Sequence, residues 1–376
     1  MHGRKHHFYI GLLIVITSVI NVFIFSSAWS KVAGHTGTRT FTGGMLAATS
    51  SAPIVDDVLP TSTPATSTVL AVKKHGVNFN PVKILHFGDA MFDRGVRKNI
   101  DNGVDPFSSL RSVDIMSDYA IRMLNLEGPI TAIRREVCQQ KELNFQFPTT
   151  TALLLRDANF TGVTMANNHM LDCNQEGLDE SVRYIKDAGL FVTGYPTTAR
   201  TWVDMTMENG TSVAIVGVDA TIGAMPLDGI PQLIADLKRT HDIVLVTVHW
   251  GDEYALRANA TQKALAHTWI DAGADVIIGN HPHVVENVEN YKGHAIFYAL
   301  GNFIFDQIGV KENEGMGVGM TLYSGSAEFM IYPYTITHAT PTFLSPLEAN
   351  KWCAGYLGVM PNISPDGCTF SLTTEE

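Results

Sequence analysis

The chain has 376 residues, of which 45% are hydrophobic, and a formal net charge of −11. That acidic balance, with no cluster of Lys and Arg interleaved with aromatics, speaks against a nucleic-acid partner. A domain over 78–338 is long enough to bury on the order of three quarters of its surface, so a metal would serve function rather than folding.

The first seven residues are short and basic, and residues 8–29 carry no charge. About 20 apolar residues span the roughly 30 Å hydrocarbon core of a bilayer, whereas the apolar part of a cleaved signal is about 7–15 residues long. The length predicts a retained transmembrane helix over 8–29. Arg4 and Lys5 then put residues 1–7 in the cytoplasm and the main domain outside the cell membrane, in a single-pass arrangement. Ser27-Ala28-Trp29-Ser30 would also suit a signal peptidase, so a cleaved form stays open. Residues 30–77 are rich in Ser, Thr, Pro and Ala, bury little apolar area, and read as a flexible tether.

Six apolar, β-rich runs follow, and each ends on a side chain able to bind a metal or a phosphate. Val82-Lys83-Ile84-Leu85-His86-Phe87 gives way to Gly88-Asp89, and Ile121-Arg122-Met123-Leu124 to Asn125-Leu126-Glu127. Gly162-Val163-Thr164-Met165 precedes Ala166-Asn167-Asn168-His169. Ile243-Val244-Leu245-Val246-Thr247-Val248 runs into His249-Trp250-Gly251. Asp275-Val276-Ile277-Ile278 leads to Gly279-Asn280-His281-Pro282-His283, and Ala295-Ile296-Phe297-Tyr298-Ala299-Leu300 to Gly301-Asn302. Ligands gather at the carboxyl ends of strands in α/β sheets, so the recurrence predicts one shared site.

Two intervening segments have helical spacing. Residues 176–189 place Leu178, Val182 and Ile185 on one face and end in Gly189, while 261–273 repeat the design with Leu265, Trp269 and Ala272. His267 falls inside the second helix and is read as structural. The segment 339–376 shows little periodicity and reads as a tail. Of the four cysteines, Cys353 with Cys368 is the favoured bridge and Cys138 with Cys173 a possible one.

The series Gly88-Asp89, Asn125-Leu126-Glu127, Asn167-Asn168-His169, His249-Trp250-Gly251-Asp252-Glu253-Tyr254, Gly279-Asn280-His281-Pro282-His283 and Leu300-Gly301-Asn302-Phe303 resembles the capsule-synthesis CapA family. That family is associated with poly-γ-glutamate capsules and is similar to calcineurin-like metallophosphoesterases. The resemblance implies a four-layer α/β/β/α sandwich with two divalent ions, of Mn, Zn or Fe type, held by nitrogen and oxygen ligands. It assigns Asp89, Glu127, Asn168, His249, His281 and His283 as metal ligands and His169 as general acid or charge stabiliser. Arg94, Asn125, Glu253 and Asn302 are candidate substrate-facing or supporting residues. Expected partners are the membrane, capsule polymer synthase or export proteins, and an anionic polymer. A free-standing phosphoesterase and an inactive binding scaffold remain alternatives.

The chain departs from the superfamily pattern at three places. Met91 stands where a histidine is expected two residues after Asp89, Glu127 replaces an aspartate, and Met170 follows His169, with the nearest acid at Asp172. Asp93 and Arg94 are the candidates to compensate, as ligand and as anion clamp.

Overall fold

The structure, a computed structural model, describes residues 80–195, 201–221, 226–356, 362–364 and 367–373. The expected anchor over 8–29 and tether over 30–77 lie outside the described residues. Among the described residues, no helix is long and apolar enough to cross a membrane.

Strand β1 (Val82–Ala90) leads to α1 (Arg94–Asp101) and α2 (Ser108–Ser112). β2 (Ile121–Leu126) continues through a long loop to α3 (Thr151–Asp157), and β3 (Gly162–Thr164), α4 (Asn174–Asp187) and β4 (Phe191–Thr193) follow. β5 (Trp202–Thr206) pairs antiparallel with β6 (Ser212–Asp219). Next come α5 (Ile230–Lys238), β7 (Ile243–His249), α6 (Ala260–Asp271) and β8 (Val276–Asn280). The hairpin of β9 (Val288–Tyr291) and β10 (His294–Phe297) precedes β11 (Asn302–Ile304) and the long hairpin of β12 (Glu314–Tyr323) and β13 (Ser326–Thr337). β14 (Thr340–Phe343), α7 (Pro346–Tyr356), β15 (Asn362–Ser364) and β16 (Gly367–Thr373) complete the order.

These strands build two sheets in an α/β fold. One runs β15-β16-β13-β12-β1-β2-β3-β4, with β11 beside β1 and β14 beside β13; the other runs β5-β6-β7-β8-β10-β9. β6, β7 and β8 are almost wholly buried, as parallel strands covered on both faces must be. Their period of two sorts the side chains. Val213, Ile215, Ile243 and Leu245 meet Val82, Ile84, Ile121 and Met123 of the other sheet in one apolar cluster. Ala214, Val216, Val244 and Val246 point the opposite way, toward Ile234 of α5 and Trp269 of α6. A third cluster joins Leu85, Phe87, Leu124 and Val163 to Val96, Leu155, Leu178 and Ile185 of helices α1, α3 and α4.

The helical spacing holds to within two residues at each end. Leu178 and Ile185 of α4 are buried, Val182 is half-buried, and Gly189 stops the chain at φ 83. His267 stacks on Tyr291 at 3.8 Å and faces Glu289 at 2.7 Å, a packing role. Both cysteine pairs, Cys138–Cys173 and Cys353–Cys368, are bridged.

Two differences from the sequence expectation have physical causes. The run over 295–300 is not one strand: β10 ends at Phe297, and the chain then crosses to the larger sheet, where Asn302 pairs in register with Asp89. The boundary expected at 338 falls inside a sheet, since β14 and β16 both pair with β13. Cys368, Phe370 and Leu372 alternate at period two and enter the core between the sheets, but a run this short and polar carries a weak signal.

The crossing requires Gly279. A Cβ there would lie 1.9 Å from the carbonyl oxygen of Tyr298, which also accepts a hydrogen bond from Trp250 Nε1 at 2.8 Å. Gly279→Ala is expected to cost about 3 kcal/mol, measured by urea unfolding; a change within error would contradict this contact.

Candidate metal centre

The strand ends do converge, and they do so from both sheets. Asp89 and Asn125 are register partners on β1 and β2, and His249 and Asn280 are partners on β7 and β8. The loop after β8 turns sharply, with His281 and His283 in the left-handed region at φ 100 and 59. Left-handed non-glycine residues are rare, and such strain concentrates at functional sites. The turn brings both imidazoles over the edge of the facing sheet, where the His281 backbone N–H donates to Asp89 Oδ2 at 3.1 Å.

Two trios of ligand-type atoms lie side by side. Asp89, Glu127 and His283 offer ligand atoms all within 4.8 Å of one another. His283 Nδ1 is 3.4 Å from Asp89 Oδ2, and its Nε2 is 3.6 Å from Glu127 Oε1. In the second trio, His249 Nε2 lies 3.0 Å from both Asn168 Oδ1 and His281 Nδ1. Glu127 Oε1 stands between the trios, 3.8 Å from His249 Nε2 and 4.0 Å from His169 Nε2.

Glu127 is the decisive residue. Its side chain is fully buried, yet neither carboxylate oxygen has a hydrogen-bond partner among the described residues. A buried charge without partners is costly, and a cation is the usual remedy. Burial, with Asp89, Glu253 and Asp172 adding to it, holds this carboxyl well above its ordinary range. Burial and the neighbouring imidazoles keep His249 well below its ordinary value and His281 down at about 4, so both are neutral and able to ligate. For His283 burial works downward, but Glu127 and Asp89 outweigh it and lift the ring to about 9. The donor set of carboxylates, amide oxygen and imidazoles fits a divalent transition ion.

A second set of groups fixes the first. Asn125 donates to Asp89 Oδ1 at 2.8 Å, and Asn167 donates to Asn125 Oδ1 at 3.0 Å and to the Leu126 carbonyl at 2.9 Å. Asn302 Oδ1 accepts from His283 Nδ1 at 3.0 Å. His169 stands on the Asp172 carboxylate, Nδ1 to Oδ2 at 2.9 Å, and Phe145 packs against its ring at 4.2 Å. Asp172 is in turn held by the Phe145 N–H at 2.6 Å and Lys141 at 2.5 Å. Such supporting shells orient ligands and ring tautomers.

Glu253 is exposed at the mouth and acts on Glu127, His281 and His283 through its charge. Arg94 pairs with Asp306. Met91 is buried and its sulfur accepts from the Asp93 N–H at 3.0 Å. The expected compensation by Asp93 is not made, because its carboxylate is taken by the backbone N–H groups of Arg94 and Gln146 and by Arg135. Asn167, Phe145 and Lys141 were not singled out from sequence. Asn167 carried a signal, since it adjoins Asn168-His169, whereas Phe145 and Lys141 lie in the irregular loop after β2.

Residues 83–307 match the family model for the bacterial capsule synthesis protein PGA_cap. The chain belongs to this family. It is 34% identical to the PGA biosynthesis protein CapA of Bacillus subtilis (strain 168), over 68% of this chain and 71% of that one. It is 30% identical to the capsule biosynthesis protein CapA of Bacillus anthracis, over 70% of each. A probable polyglutamine synthesis accessory protein of Mycobacterium tuberculosis is 28% identical over 51% of this chain and 57% of its own. All six strand-end motifs lie within the matched PGA_cap region.

The Glu127 environment gives a test with opposite signs. In metal-free protein, Glu127→Gln is expected to melt at or above the wild-type temperature, because a neutral amide replaces an unpaired buried carboxylate. Added Mn or Zn at about 100 times its Kd should stabilise the wild type by about 2.7 kcal/mol and the variant by less, since it keeps only the Asn168–His249–His281 trio intact. A metal response equal in both proteins would remove Glu127 from the ligand set.

Glu286 follows the His281–His283 loop and is fully buried, its backbone N–H donating to the Ala299 carbonyl at 3.2 Å. Its Oε2 accepts from Gln262 Nε2 at 2.7 Å while Oε1 has no partner among the described residues, and burial lifts the carboxyl to about 7. The folded protein therefore holds this proton more tightly than the unfolded chain, so stability falls as pH rises from about 4.5 to 7 and the penalty is complete above that. Glu286→Gln should gain up to about 3 kcal/mol over wild type at pH 8 relative to pH 4, read from urea unfolding at both. A pH-independent difference would contradict the assignment.

Proposed function

We propose that this chain is a membrane-anchored, extracytoplasmic component of poly-γ-glutamate-type capsule synthesis or export, built around a metal-dependent hydrolase-like domain. The observation that carries the enzyme part is Glu127, buried without a partner between two groups of metal-compatible side chains. The capsule part is supported by family membership and by the names of the Bacillus relatives. The three apolar clusters, one between the sheets and one outside each, support an α/β/β/α sandwich of metallophosphoesterase type. The uncharged segment 8–29 supports the anchor, and the partners are then polymer synthase or export proteins in the same membrane.

In this reading Asp89, Glu127 and His283 would hold one divalent ion, and Asn168, His249 and His281 a second. Such ions supply Lewis acidity at a substrate oxygen and ease the deprotonation of water. The protein's own part is positional. His169 exchanges a proton at Nε2, the atom that faces Glu127, while Asp172 fixes the ring through Nδ1. Asn125 and Asn302 hold Asp89 and His283 in place, and Phe145 and Phe305 close off water on the His169 and His283 sides. The bond cleaved is a phosphoester or a γ-glutamyl amide.

The buried Met91, its sulfur turned to Asp93, favours a second reading in which the site binds metal and polymer without turnover. Metal analysis and turnover of the full chain separate the two. About two ions per chain are expected after incubation with Mn or Zn, falling by about one in His281→Ala. His169→Ala should keep both ions and lose hydrolysis of γ-glutamyl oligomers by about a hundredfold or more. Wild type that stays metal-free would end the enzyme reading; metal without turnover would establish the binding one.

A further inference from the structure

Arg94, the first residue of α1, has its backbone in the left-handed region at φ 49. A long side chain is disfavoured there, and the surroundings must hold it. They do so with two aromatic rings. The guanidinium carbon sits 5.1 Å from the centroid of Phe145 and 5.7 Å from that of Phe305. These are the rings that pack on His169 at 4.2 Å and on His283 at 4.8 Å. Arg94 therefore shares its aromatic bed with one imidazole from each side of the pocket.

Two neighbouring cations are committed to buried acids. Lys141 is paired with Asp172 and Arg135 with Asp93, acids whose side chains are 0% and 6% exposed. Breaking either pair would strand a buried charge. The partner of Arg94 is different. Asp306 is 20% exposed and Arg94 itself 36%, and Asp306 keeps a second donor, the Gly95 N–H at 2.8 Å, if the arginine leaves. A guanidinium has five donors in a planar fork, and Asp306 engages it through Nη2. Stacking on aromatic faces covers the plane of the fork and leaves its edge for a carboxylate.

We propose that Arg94 is a carboxylate-binding residue of the pocket, taking an acidic side group of a γ-linked glutamyl chain as a bidentate pair beside the metal ligands. This rests on the capsule reading above. It answers the charge problem of a chain with net charge −11 that handles a polyanion: a cation whose partner, Asp306, is exchangeable selects acidic chains locally.

The test measures binding of two fluorescent oligomers, γ-linked glutamate and its neutral γ-linked glutamine counterpart, to the full chain with Mn present. Wild type is expected to prefer the acidic oligomer. Arg94→Gln should weaken that oligomer alone by about tenfold or more, and Arg94→Lys should restore only part, since an ammonium lacks the fork. Asp306→Asn should bind the acidic oligomer several-fold more tightly, a gain that a purely structural Arg94–Asp306 pair would not produce. Bound metal, measured alongside, is expected to stay constant in all four proteins. Unchanged affinity in Arg94→Gln, or no gain in Asp306→Asn, overturns the assignment of Arg94 while leaving the capsule reading intact. If Arg94→Gln does not fold, Asp306→Asn decides alone. Wild type that holds metal but binds neither oligomer overturns the capsule reading and this proposal with it.

Discussion

Glu127 cannot be satisfied by the fold alone, and much of the surrounding architecture is arranged to keep it that way. It follows β2 in one sheet, and the groups nearest its oxygens come from elsewhere: His249 from β7, His283 from the loop after β8, His169 from the loop after β3. The amides of Asn125 and Asn167 are occupied instead with Asp89, with each other and with the Leu126 carbonyl. Polar groups in a protein interior are nearly always paired, so an interior that spends its amides on neighbours and leaves both Glu127 oxygens without a partner among the described residues is compatible with a bound cation.

The two sheets contribute different chemistry. The larger brings acids and amides, Asp89, Glu127, Asn125 and Asn168, while the smaller brings imidazoles on His249, His281 and His283. Hard oxygen ligands and borderline nitrogen ligands thus face each other across a seam. The Coulombic traffic follows the same line, since Glu127 and Asp89 raise His283 against its burial, and His281 and His283 lower His249.

Much of this was legible in sequence because apolar runs ending in Asp, Asn or His are local signals. The residues that bind nothing directly were harder to see. Phe145 and Lys141 sit in a loop without periodicity, and what makes them matter is the Cys138–Cys173 bridge and the Asp172 carboxylate, both contacts over long sequence separation. The run over 295–300 misled for a related reason: its composition suits a strand, and only tertiary pairing sends the chain to the other sheet after Phe297. Met91 could be recognised as a departure, but that its sulfur would satisfy the Asp93 N–H, and that Arg135 and the Arg94 and Gln146 N–H groups would occupy the Asp93 carboxylate, follows only from packing.

The crossing at 298–301 has a mechanical consequence. The chain leaves the smaller sheet at Phe297, passes the Gly279 backbone, and locks Asn302 beside Asp89 in the larger one. Because Asn302 also grips His283, the pocket acts as a rivet through both sheets: neither can slide over the other without pulling an imidazole off its anchor. Shear between the layers and distortion of the pocket are then one motion, so forces applied to the domain along its strands would be felt first at the candidate metal centre.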